Sequence, residues 1–171
     1  MKILLYMAIV TNTLLAFGFT TKENKQIVLN QSFTKICLQG NMKVILVQSD
    51  SSNTIFYKNG KITAEVQNGE LTVKQKNSFF KDSEPFILIP VSVLTAIIIK
   101  DDAAVFSKTT ITTHELTINQ HSNGIVKLSI DAAKVLVCSR GTGKIQIDGN
   151  YQQTLAQKDE TGCMVIEYKA K

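Results

Sequence analysis

With 171 residues, 44% of them hydrophobic and 19% charged, the chain has the apolar content for one buried core and too little length for several domains. Its net charge of +5 is spread over scattered lysines with Arg140 as the lone arginine. The clustered Arg, Lys and stacking aromatics of a nucleic-acid binder are therefore missing, and no nucleic-acid partner is expected. With 2 Pro, no Trp, plentiful β-formers and no sustained helical period, the composition points to β structure.

The amino terminus carries Lys2, an apolar run from Ile3 to Phe17 and then polar residues, the pattern of a secretory signal peptide over residues 1–18, with a small-residue cleavage site around Ala16-Phe17-Gly18. A single membrane anchor is the alternative, but Thr11, Asn12 and Thr13 interrupt the run and leave it too short and too broken to favour a span. The expected address is outside the cytoplasm, in the periplasm, on the outer surface or secreted. Residues 19–32 form a polar segment in which Ile27-Val28-Leu29 offers an edge strand, and residues 33–171 read as a single domain.

Phe33 to Leu38, Met42 to Gln48, Thr54 to Lys58, Lys61 to Val66 and Glu70 to Gln75 are short strands in this reading. Gly40-Asn41, Asn59-Gly60 and Asn68-Gly69 are the turns between them, and Asn-Gly is a strong hairpin signal. The loop from Asn77 to Pro85 contains Phe79 and Phe80, expected to fold back over a core. Phe86 to Pro90 is a further strand.

From Ile97 to the end the sequence repeats every 19 residues. Three units place a glycine at their ninth position, Gly124, Gly143 and Gly162, where a turn requiring positive φ is expected before the next strand. Around these glycines Leu116, Ile118, Val126, Leu128, Val135, Val137, Ile145, Ile147, Met164 and Ile166 recur at like places, with Thr154 and Ala156 departing from the pattern. A fixed period with two alternating runs per unit is the signature of a β-solenoid. The expected fold class is all-β, with β-solenoid coils of 19 residues in the carboxy-terminal half and hairpin-like strands in the amino-terminal half.

Phe33 and Ile36, the Gly and alternating strand ending in Gln48, Asn68 to Val73, the strand ending in Pro90 with Leu94 after it, and the Gly-led units at 122–128, 141–149 and 160–166 together resemble the GIN domain. This family is labelled an autotransporter adhesin head domain of exported bacterial proteins, found mostly in Bacteroidota-type envelopes. The resemblance spans Phe33 to Tyr168. It implies a right-handed β-helix-like fold without established enzymatic activity, and it brings no catalytic residues with it.

Stacking by 19 aligns Asp102, His121, Arg140 and Asp159 along one edge. This is either a polar recognition edge for a sugar or peptide or a ladder of exposed charge pairs, each worth about 0–1 kcal/mol. The same stacking aligns Ile98, Leu136 and Leu155 into an apolar stripe, which asks for cover from the amino-terminal half or from a second copy in a homo-oligomer. Three cysteines in an exported chain are an odd number; Cys37, Cys138 and Cys163 read as isolated thiols. His114 and His121 have no ligand spacing to them, so neither a metal nor another cofactor is expected. The functional expectation is a non-enzymatic, adhesin-like interaction module at the cell envelope, whose partner is a protein or glycan at the cell surface. A small carbohydrate-active β-helix enzyme and a structural periplasmic oligomer are the alternatives. With a charged tail after Met164, no translocating barrel is expected, and the tail is expected to blunt the last coil.

Overall fold

The computed structural model describes residues 24–76, 84–149, 154–158 and 164–168, so the leader segment, Phe79, Phe80, Asp159, Gly162 and Cys163 lie outside the described residues. The described residues contain strands and no helix, hydrogen-bonded into a 14-stranded sheet. The strands are β1 (Lys25–Val28), β2 (Lys35–Gln39), β3 (Lys43–Gln48), β4 (Thr54–Lys58), β5 (Ile62–Gln67), β6 (Glu70–Gln75) and β7 (Phe86–Val91). They continue with β8 (Ala96–Ile99), β9 (Ala104–Ser107), β10 (Ile111–Gln120), β11 (Ile125–Ser139), β12 (Lys144–Asp148), β13 (Thr154–Lys158) and β14 (Met164–Tyr168). The all-β class is as the sequence leads one to expect.

By pairing, the strands make two faces. The first sheet runs β1-β4-β7-β3-β9-β11-β12. The second runs β5-β6-β2-β8-β10-β11-β14-β13. At 15 residues, β11 serves both: its Val126 pairs in the first sheet and its Val135 in the second. Alternation does the rest. Val44 and Leu46, Ile87 and Ile89, Ile36 and Leu38, and Leu71 and Val73 all point inward and join one continuous core with Ile97, Ile99, Leu116, Ile118, Val126 and Val135. The residues between them point outward.

The expected period of 19 is present where β10 lies on β11, from Ile111 on Ile130 to Gln120 on Ser139, and where β11 lies on β12, from Ile125 on Lys144 to Ser129 on Asp148. Where β8 lies on β10 and β9 on β11 the offset is 21, with Ile97 on Ile118 and Val105 on Val126. Two extra residues sit in the turn around Lys108, Thr109 and Thr110, because Phe106 lies on Lys127 whereas Ile111 lies on Ile130. A slip of two leaves every side chain on its own face, so the apolar alternation looks the same in either register.

The order of the strand pairs also departs from the sequence. β2 and β3 lie between β6 and β7 on one side and β8 and β9 on the other, parallel to both. The chain therefore passes over the β2–β3 layer on its way from β7 to β8. The strand expected from Phe86 to Pro90 is present as β7 and lies beside β3.

Of the expected hairpins, the Asn68-Gly69 turn closes one, between β5 and β6, with φ of 51° and 74°. Asn59 and Gly60 share that backbone, at 60° and 59°, yet they carry the chain from the first sheet into the second. Gly40-Asn41 likewise joins the second sheet to the first. A left-handed dipeptide sets the local reversal, and the strands that follow are placed by where their apolar faces are buried.

At the carboxy-terminal end β14 runs antiparallel on β11, with Val165 on Leu136, and β13 returns along β14 as a hairpin. The fourth unit does not continue the parallel stack. Cys138 is disulfide-bonded, which corrects the expectation of three isolated thiols, while Cys37 is a buried free thiol. An odd cysteine count leaves at least one thiol over, which is compatible with a bridge at Cys138 beside the free Cys37.

Candidate functional site

Two surfaces carry polar and aromatic groups in a defined pattern: the turn edge singled out by the sequence, and the outward face of the first sheet.

At the turn edge the residues do not stack as expected. The offset of 21 pairs Asp102 with Asn123 rather than with His121. The Asp102 Oδ1 accepts the Asn123 backbone N–H at 3.1 Å. Asn123 Oδ1 in turn accepts the Thr142 N–H at 3.1 Å and its hydroxyl at 2.7 Å. Asp101 Oδ2 accepts the Gly40 N–H at 2.7 Å, and Gln75 Oε1 accepts the Asn41 N–H at 2.9 Å. Each side chain thus caps a backbone donor on the neighbouring layer, which satisfies turn N–H groups that the strand ladders do not reach. Asp101 and Asp102 are structural carboxylates in this arrangement.

His121 and Arg140 belong to the adjacent column. The His121 backbone N–H donates to Ile99 O at 2.9 Å and that of Arg140 to Gln120 O at 2.8 Å. Lys100, His121 and Arg140 consequently follow one another across neighbouring strands, all exposed. The expected alternation of cation and carboxylate is replaced by a run of basic residues.

The turn glycines are required for a different reason than expected. Among the described glycines, positive φ belongs to Gly40, Gly60 and Gly69. At Gly124 a Cβ would overlap the Ala103 carbonyl oxygen, and at Gly143 it would overlap the Gln120 side-chain nitrogen and the Gly124 carbonyl oxygen. Gln120 is fully buried inside this turn, its Nε2 donating to Gly124 O at 2.5 Å. Close packing of successive turns excludes a side chain.

The apolar stripe also dissolves in the observed registers. Ile98 lies beside Cys37 and Asn119, Leu136 beside Thr117 and Val165, and Leu155 in β13 beside Glu167. Ile98 and Leu136 are half-buried, whereas Cys37 on the same outward side is buried. Gln39 Nε2 reaches over it to the Cys37 Sγ at 3.6 Å.

The outward face of the first sheet was not anticipated. Strand pairing sets Phe86 beside Lys43 and Lys58, Phe56 beside Leu88, Ile45 beside Phe106, and Phe106 beside Lys127. Lys43 Nζ lies 5.7 Å from the Phe86 ring centroid and 5.3 Å from that of Phe106. Lys58 Nζ lies 5.1 Å from the Phe86 centroid. Such cation–π contacts contribute about 0.5–1 kcal/mol each at exposed sites and hold the ammonium groups in place. Farther along, Ile125 is 41% exposed and lies beside Lys144. The acid on these positions is Asp148, whose carboxylate accepts from Gln146 Nε2 at 3.2 Å. In the sequence, Lys43 to Leu46 alternates visibly, but nothing local says that β3 will lie between β7 and β9.

Among the described residues no group of three His, Cys, Asp or Glu is arranged to hold a metal ion, and no helix is long and apolar enough to cross a membrane.

These features define an all-β scaffold of stacked strands whose turns are internally capped and whose patterned surface lies on one sheet. The chain belongs to the family described as "Putative auto-transporter adhesin, head GIN domain", which it matches over residues 32–164. Its fold is shared with a protein of Bacteroides fragilis described as a putative adhesin, at a TM-score of 0.54 and 18% identity, covering 71% of this chain and 61% of that one. A second, from Parabacteroides merdae and described in the same words, gives a TM-score of 0.55 at 20% identity over 64% of this chain and 50% of that one. A third, from Parabacteroides distasonis and described as a putative lipid binding protein, gives 0.52 at 15% identity, covering 75% of this chain and 60% of that one. This chain thus spans 50% to 61% of the length of those three proteins. No curated protein matches it significantly.

Proposed function

We propose that this protein is an exported, non-enzymatic interaction module of the cell envelope, adhesin-like, built as a short right-handed β-solenoid and presenting a binding face to a surface protein or glycan. The observation that carries this reading is the outward face of the first sheet, where lysines and phenylalanines from β3, β4, β7, β9 and β11 meet although they are far apart in sequence. Membership of an adhesin-head family and the adhesin descriptions of two neighbours in fold support it. The non-enzymatic reading is supported by the carboxylates of the turn edge, since Asp101 and Asp102 each cap a backbone N–H of the next layer.

Cell fractionation combined with protease treatment of intact cells tests the address. The protein is expected outside the cytoplasm; recovery in the cytoplasmic fraction alone would overturn the proposal. A glycan array and a pull-down with the protein test the activity, and turnover of a polysaccharide without retention of any partner would point to an enzyme instead.

A further inference from the structure

The outward face of the first sheet narrows the chemistry of the ligand. Four lines of observation bear on that face.

The face is basic. Lys43, Lys127 and Lys144 are exposed on it, on strands β3, β11 and β12. Where those three strands run in the first sheet, the one carboxylate on their outward positions is Asp148, at the end of β12 and engaged by Gln146. The second sheet is mixed by comparison: its outward positions include Glu65, Glu70 and Glu115 as well as Lys35 and Lys74. Charge complementarity therefore selects an anionic partner for the first sheet.

The face is long. From β4 to β12 the strands run β4-β7-β3-β9-β11-β12, five spacings of about 4.8 Å, or about 24 Å in all. An extended chain laid across the strands meets cations or apolar side chains on every one of them.

The ring faces are already occupied. Phe86 has the ammonium groups of Lys43 and Lys58 near it, and Phe106 has that of Lys43. A stacking platform for nucleobases needs open rings. These rings instead fix ammonium groups at set positions.

The apolar side chains are interspersed with the cations. Ile125 precedes Lys127 on one strand, and Lys43 precedes Ile45 on another. Surfaces that enter a lipid interface segregate an apolar face from a charged one and bury the apolar part about 5–10 Å deep. Here any such burial takes the lysines along. A polymer with acidic groups spaced along an extended chain, and C–H surfaces between them, fits both components.

Resting on the proposed role as an interaction module, we propose that the outward face of the first sheet binds an anionic polysaccharide, with Lys43, Lys127 and Lys144 contacting its carboxylate or sulfate groups and Ile45 and Ile125 contacting its sugar faces. Polygalacturonate serves as the probe, with dextran as the neutral polysaccharide and vesicles of phosphatidylglycerol as the anionic lipid. At about 0.15 M salt, where exposed charges interact within roughly 8 Å, the protein is expected to bind polygalacturonate saturably and to ignore the other two. The double variant Lys43→Glu/Lys127→Glu is expected to weaken that binding at least about tenfold, a loss of roughly 1.4 kcal/mol. Lys35→Glu/Lys74→Glu, which changes net charge equally on the second sheet, is expected to weaken it less than about threefold. All four positions are exposed, and unfolding curves matching the parent confirm that both variants fold.

Equal losses in the two variants would mean binding by net charge alone and would overturn the assignment of the face. Binding of the vesicles through Lys43 and Lys127, or no binding of polygalacturonate at all, would overturn the polysaccharide. Binding of dextran through the same face would overturn the anionic class while leaving the interaction module standing.

Discussion

Replacing Gly124 by asparagine is expected to destabilise the protein by about 3 kcal/mol, whereas the same change at Gly69 is expected to cost less than about 1 kcal/mol. Both are turn glycines with a plausible claim to positive φ from sequence alone. Gly69 has φ of 74° and nothing within 4 Å of the place a Cβ would take, and asparagine tolerates that backbone. Gly124 lies outside the positive-φ set, and a Cβ there meets the backbone of Ala103 on the layer beside it. Backbone cannot rotate out of the way as a side chain does, so the turns must move apart. Urea unfolding of the two variants measures the difference. Equal costs, or tolerance at Gly124, would mean that the turns are not packed layer on layer.

Ile87→Ala is expected to cost about 2–5 kcal/mol, a large share of the roughly 5–15 kcal/mol typical of a domain. Ile87 is fully buried on β7 and lies in a column with Tyr57 on β4 and Val44 on β3, beyond which Val105 and Val126 follow. Truncation opens a cavity bordered by three strands that hydrogen bonding holds in place, which limits collapse into it. Ile125→Ala is the matched comparison. At 41% exposure on the outward face it is expected to change stability by about 0.5 kcal/mol or less. Chemical denaturation checks both, and a small cost at Ile87 would contradict the position of the core.

Much of this fold is legible in the sequence because alternation is a local property. Most inward residues of β3, β7, β10 and β11 can be marked from their neighbours two places away, although the parity changes within β10 and β11, and the period of 19 can be read where β10, β11 and β12 stack. What is not legible is pairing between strands far apart in the chain. Lys43 lies beside Phe86 and Ala104, and no spacing rule relates those numbers. The two extra residues between Phe106 and Ile111 keep the face of every side chain, so a slip that moves Asp102 from His121 to Asn123 leaves no trace in the apolar pattern. Within the edge expected from the sequence, that slip separates Asp102 from His121. The aromatic and basic face went unseen because its members come from six strands whose order is not the order of the chain. The disulfide at Cys138 was missed because an odd cysteine count does not say which of the three are bridged.

The central claim is that β3 lies between β7 and β9, since that order builds both the core and the outward face. Engineered disulfides test it directly. Ile45, Leu88 and Phe106 are outward on these three strands, with Ile45 paired to each of the other two. Adjacent partners are about 4.8 Å apart, within the range a disulfide spans, whereas Leu88 and Phe106 are two spacings apart, about 10 Å and beyond it. Under mild oxidation, with crosslinks read by mass spectrometry, the pairs Ile45→Cys/Leu88→Cys and Ile45→Cys/Phe106→Cys are expected to bridge, and Leu88→Cys/Phe106→Cys is expected not to. A bridge in the last pair, with none in the first two, would put β7 directly beside β9 and contradict the architecture and the face built on it.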